Sequence, residues 1–107
     1  MIFSESSTFT KKVYSVLSDD EYGQLQWHLV NNPELGVVIP QSGGIRKVRW
    51  QIEGHGKRGG TRIIYYWITE EDEILLLDIY RKSDKDDLTK REIDFFKHLV
   101  KEYLRHE

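Results

Sequence analysis

Residues 61–82, "TRIIYYWITEEDEILLLDIYRK", decide how this chain is read. Two apolar stretches flank the acidic residues "EEDE" at 70–73. The first is rich in Ile, Tyr and Trp, the β-branched and aromatic types that suit a pleated strand. It is apolar on both sides, which suggests a central strand. The second, "EILLLDIYRK", is a further strand. The tight acidic turn between them makes a hairpin, so the two strands run antiparallel.

Upstream, "IRKVRWQI" (residues 45–52) alternates with a period of two. Val48, Trp50 and Ile52 point one way, Lys47, Arg49 and Gln51 the other, giving a strand with one apolar and one basic face. Downstream, "DLTKREIDFFKHLVKEYLRHE" reads as a helix whose apolar stripe is Ile93, Phe96, Val100 and Tyr103, with Leu99 beside it. Near the start, "MIFSES" reads as a short strand, and Phe9, Val13 and Val16 recur at helical spacing. Ser18 precedes Glu21 by three residues, the capping-box pattern of a second helix, which continues through Tyr22, Leu25 and Leu29 and stops at Asn31, Asn32 and Pro33. "PELGVVIPQSGG" is read as a connecting loop, punctuated by its prolines and glycines. The order is β-α-α-β-β-β-α. It predicts a small α+β domain spanning residues 1–107, with an antiparallel sheet, helices packed on one face, and the other face open.

The totals set limits. A chain of 107 residues, 38% hydrophobic, supports one core rather than two. It has no cysteine, so disulfides and zinc–thiolate sites are excluded. No apolar run approaches membrane-spanning length, and the first residues lack the pattern of a signal peptide, so a soluble cytoplasmic protein is expected. The net charge of −2 hides an asymmetry. Between Ile45 and Arg62 lie six bases (Arg46, Lys47, Arg49, Lys57, Arg58, Arg62) and one acid, Glu53, making that window +5 and leaving −7 elsewhere. A basic stripe on an acidic body points to an anionic partner at one place. The plain alternative is a solvated strand with a charged turn.

By strand periodicity, Lys47 and Arg49 share a face, Arg62 opens the next strand with Tyr66 farther along the same side, and Asp78, Tyr80 and Lys82 share a face of the last strand. Cations interleaved with tyrosines on one surface suit single-stranded nucleic acid, with phosphates on the cations and bases on the rings. Trp50 and Trp67 are expected in the core. In the plain alternative Asp78 pairs with a neighbouring cation and the face is a salt-bridged surface of little energetic consequence. A phosphate-binding P-loop is not supported, because the residue five before Gly56 is Gln51 rather than glycine. His28, His55, His98 and His106 show no metal-ligand spacing. His55, inside the glycine-rich basic loop "EGHGKRGG" (residues 53–60), has the chemistry of a base near neutral pH but also that of an ordinary loop residue.

The runs "GGIRKVRW", "GKRGGTRIIYYW" and "LLLDIYRKSDKDDLT" resemble the RelE superfamily of bacterial toxins, most of all its HigB-like branch. The likeness covers nearly the whole chain and is densest from residue 43 to residue 88. It implies a RelE-like fold and a ribosome-dependent mRNA endoribonuclease (an mRNA interferase) that enters the ribosomal A site and inhibits translation. It also implies neutralisation by a cognate antitoxin with a helix-turn-helix DNA-binding domain, operator DNA being met only through that antitoxin. Lys47 and Arg49 match the family's paired basic residues, Arg62 the arginine that opens the next strand, and Lys82 a basic residue ending the last strand. The family's tyrosine near the chain end has no counterpart; Leu88 falls there, with Tyr66 or Tyr80 as candidate substitutes.

RNA supplies its own nucleophile in such a reaction. The 2′-hydroxyl attacks the adjacent phosphate, leaving a 2′,3′-cyclic phosphate and a 5′-hydroxyl end, with no cofactor or metal required. Arg62 is the expected phosphate clamp, and Lys82 a transition-state stabiliser or acid. The acid–base group is left open among Lys57, His55, Lys82 and a tyrosine. Lys47, Arg49 and Arg58 are expected to hold phosphates, and Tyr66 and Tyr80 to contact RNA. The alternative is a catalytically weak or inactive RNA- or partner-binding module on the same fold.

Overall fold

The computed structural model describes residues 1–50 and 60–105. The elements follow in the order β1 (Ile2–Glu5), α1 (Ser7–Val16), α2 (Asp19–Asn31), β2 (Val37–Val38), β3 (Arg46–Trp50), β4 (Thr61–Ile68), β5 (Glu73–Arg81) and α3 (Lys90–Arg105). The fold is α+β with the expected order, plus the two-residue β2 inside the stretch read as a loop. The basic loop, including His55, Lys57 and Arg58, and the terminal His106 lie outside the described residues.

Local signals set the helix boundaries. Ser6 caps α1, its Oγ accepting from the Phe9 amide. Ser18 and Glu21 form the complete capping box of α2. Thr89 and Glu92 make the same reciprocal exchange at the start of α3, each accepting from the other's amide. The acidic turn closes with a 3₁₀ turn over Thr69–Glu71 and with Asp72 in the left-handed region at φ 50°.

The five strands lie in the order β1-β5-β4-β3-β2, with β4 at the centre as its composition predicts. β2, β3, β4 and β5 pair antiparallel. β1 pairs parallel to β5, with Ile2 opposite Glu73, so the sheet is mixed rather than wholly antiparallel. Two helices, not a short turn, follow β1, and nothing in the local chain dictates its direction.

The expectation of helices on one face is also corrected. Helices α1 and α2 cover one face, where Phe9, Val13, Leu25 and Leu29 pack on Val48, Ile63, Tyr65, Leu76 and Ile79. Helix α3 covers much of the opposite face. Its Phe96 and Val100, with Ile93, Leu99 and Tyr103, pack on Ile45, Ile64, Leu75 and Leu77. Strands β4 and β5 are buried along almost their whole length. A strand apolar on both sides needs cover on both, and α3 supplies the second layer. Trp50 and Trp67 pack against the first core, as expected.

Candidate RNA-contact face

The cations expected to share a face do so. Antiparallel partners project to the same side, and the register sets Arg49 opposite Arg62 and Arg62 opposite Tyr80. A second row runs Lys47, Ile64, Asp78. One irregularity makes this possible. Ile64 pairs with Asp78 while Tyr65 pairs with Leu76, so Leu77 is an extra residue in β5. Such a bulge shifts the phase of everything beyond it. Without it, Asp78 and Tyr80 would follow Ile74 and Leu76 onto the α1–α2 face. With it, Tyr80 joins Arg62 on the side that α3 half covers.

Exposure divides the group. Arg49 is exposed and Lys47 half-buried, whereas Arg62 is 6% exposed and Tyr80 4%. Tyr66 is half-buried, packed against the second core. Lys82 follows the end of β5, its amide donating to the Gly60 carbonyl at 3.0 Å. Asp78 is engaged from the other side of the sheet edge, accepting from Lys12 Nζ at 2.7 Å and from the Ile79 amide at 2.9 Å. The expected pairing of Asp78 with a cation is thus met by Lys12.

The segment between β5 and α3, which begins with Lys82, lies over this face, and its Asp87 holds Lys47. Asp87 pairs with Lys47 at 3.1 Å and Asp86 with Lys82 at 3.0 Å. Lys85 pairs with Glu92 and stands 5.0 Å from the centroid of the Tyr80 ring. Burial opposes ionisation of Asp87, yet the Leu88 amide and the Lys47 ammonium, with the charge of Lys82, hold its carboxyl below the usual range. The Tyr80 phenol moves the other way. Burial, then the charge of Asp87, pushes it up to about 12 against the pull of Arg62. Its hydroxyl is buried with no hydrogen-bond partner among the described residues. Asp87 was missed in the sequence, where "DKDD" reads as a solvated turn and helix start; local sequence carries no signal that it folds back onto Lys47 of β3.

Beside Lys47 and Arg49 opens a groove of about 640 Å³, walled by Val37, Val38, Ile39 and Pro40 and closed by Asp87 and Ile93. Leu88 is buried within the second core. His28 stands exposed on α2 against the Trp50 ring, and His98 is exposed on α3. No cluster of metal-ligating side chains occurs among the described residues.

Structural comparison places the fold among small bacterial toxins. A free-state variant of the E. coli RelE toxin superposes with a TM-score of 0.56 at 16% identity, covering 79% of this chain and 86% of that one. RelE from the intact E. coli RelBE toxin–antitoxin complex gives 0.53 at 13%, covering 75% and 94%. The isolated E. coli RelE toxin gives 0.52 at 13%, covering 92% and 97%. The family model described as the RelE toxin of the RelE/RelB toxin–antitoxin system matches residues 31–107. The chain belongs to that family.

Proposed function

We propose that this protein is a ribosome-dependent mRNA endoribonuclease of the HigB-like branch, acting in the bacterial cytoplasm and held inactive by a cognate antitoxin. The antitoxin would carry a helix-turn-helix DNA-binding domain, and operator DNA would be reached only through it. One observation carries the reading: Arg49 and Arg62 stand directly opposite each other beside Tyr80. Like charges opposed across a ladder repel each other, and an anionic partner on this face offsets that repulsion.

In the reaction, Arg49 and Lys47 receive phosphates of the mRNA, with Arg58 adding to them from the loop. Arg62, fixed on the central strand, grips the scissile phosphate and stabilises the charge that builds when the 2′-hydroxyl attacks. Lys82, at the strand end, stabilises the leaving oxygen or returns its proton. Lys57 and His55 are the remaining acid–base candidates. Tyr66 and Tyr80 contact the nucleotide. With weak acid–base groups, orientation of the mRNA by the ribosome supplies much of the rate.

A second reading has its own support. Leu88 is buried where the family carries a tyrosine, which favours a module that binds RNA or a partner without cutting. Mapping mRNA ends in a reconstituted translation system separates the two. Ribosome-dependent cuts by wild type, lost in the Arg62→Ala, Lys82→Ala double variant, are the expected result. No cuts from folded wild type would leave the binding module.

A further inference from the structure

We propose that the acidic segment between β5 and α3 is a built-in cover that stands in for RNA, and that its departure exposes Tyr80 as a substrate-contacting residue. The inference rests on the nuclease reading and goes beyond it by naming what keeps the face closed.

Three observations converge. First, Lys47, assigned to phosphate, is already occupied by Asp87 of this segment, and Lys82, the first residue of the segment itself, by Asp86 four residues on. A carboxylate is the side chain closest to a phosphate in charge and hydrogen-bonding capacity. Both carboxylates come from that one short segment, and the Asp87–Lys47 pair is the one that crosses to β3. Second, both carboxylates are open to solvent, with Asp87 61% and Asp86 92% exposed. Exposed pairs of this kind are weak, and a run of phosphates can replace them. Third, among the described residues the Tyr80 hydroxyl is buried without a partner beneath the same segment, flanked by Lys85 over its ring and by Leu88 in the same core. Buried hydroxyls normally have partners, and this one lies opposite Arg62 on the substrate side of the sheet. A phenol this hard to ionise stays protonated across the working range, so Tyr80 acts as a hydrogen-bond donor and not as the base.

The test measures binding to a 2′-O-methylated single-stranded RNA, which can be held but not cut, alongside the ribosome-dependent cutting assay. The full chain is compared with Asp86→Asn/Asp87→Asn, with Tyr80→Phe, and with the three changes combined. Removing the stand-in charges should tighten RNA binding roughly tenfold. It should also steepen the fall of affinity with salt, because the wild-type carboxylates, once released, take up cations that offset those leaving the RNA. Tyr80→Phe keeps the ring packed and should weaken RNA binding roughly fivefold in the uncovered background. A wild type that cuts mRNA, with variants matching it in affinity and salt slope, overturns the cover alone. A chain that neither binds RNA nor cuts, in wild-type or uncovered form, overturns the nuclease reading and this inference with it.

Discussion

Arg62 sits opposite Tyr80 in the register of β4 and β5, and both are almost fully buried on the face that also carries Lys47 and Arg49. Buried arginine beside a buried phenol, at the centre of a sheet, fixes a cation with little freedom to move. Rigid placement is what electrostatic stabilisation of a transition state requires.

Replacing Arg62 therefore tests both charge and shape. Arg62→Ala should reduce mRNA cutting by about a hundredfold or more, the scale seen when one preorganised donor is lost. Arg62→Lys should recover only part of it, because a point charge cannot grip two phosphate oxygens. Retained antitoxin binding would confirm that both variants are folded. Normal cutting by Arg62→Ala would remove Arg62 from the reaction.

Gly36 holds the edge of the sheet in place. Its amide donates to the Tyr65 hydroxyl at 2.8 Å, and that hydroxyl donates to the Pro33 carbonyl at 2.7 Å. A Cβ at residue 36 would stand 2.9 Å from the Tyr65 ring and 3.1 Å from the Lys47 backbone carbon. Tyr65 is fully buried in a packed core and cannot retreat. Gly36→Ala should cost about 1–3 kcal/mol of stability, measured by urea unfolding.

The capping box of α2 gives a smaller effect at a cleaner site. Ser18→Ala removes the side-chain acceptor of the Glu21 amide and should cost about 1 kcal/mol. Because Ser18 lies on an exposed turn away from the basic face, RNA cutting at a temperature where both proteins are folded should be unchanged.

Stability should respond to pH at both ends. Asp87 and Glu92 are held below their ordinary values. Burial opposes this in each, but the Leu88 amide and Lys47 outweigh it for Asp87, and Lys85 with Thr89 for Glu92. A carboxyl lowered on folding contributes fully above its unfolded pKa and loses that contribution as pH falls through the folded value. Melting temperature should thus decline below about pH 4, and less steeply in Asp87→Asn. Tyr80 has the opposite sign. Its phenol is raised on folding, so its contribution is intact below about pH 10 and lost as pH climbs through about 12. Tyr80→Phe should remove that alkaline component.

Much of this molecule is written locally. The capping residues Ser18 and Glu21, the two-sided apolar run of β4, the alternation of β3 and the stripe of α3 each state an element and its buried side, because helical and strand periods are properties of consecutive residues. The basic character of Lys47, Arg49 and Arg62, and the likeness to the RelE family, were legible for the same reason. Three features were not. The direction of β1 depends on which strand it meets after two helices. The place of α3 depends on which face of the sheet is left uncovered. The phase of Tyr80 depends on one extra residue, Leu77, where β5 pairs with β4. A bulge is a relation between two strands rather than a pattern within one, and the return of Asp87 to Lys47 is likewise a relation between segments. Sequence alone determined the elements and the cations; the tertiary structure decided which face holds them and what covers it, since pairing and packing join residues that no local period connects.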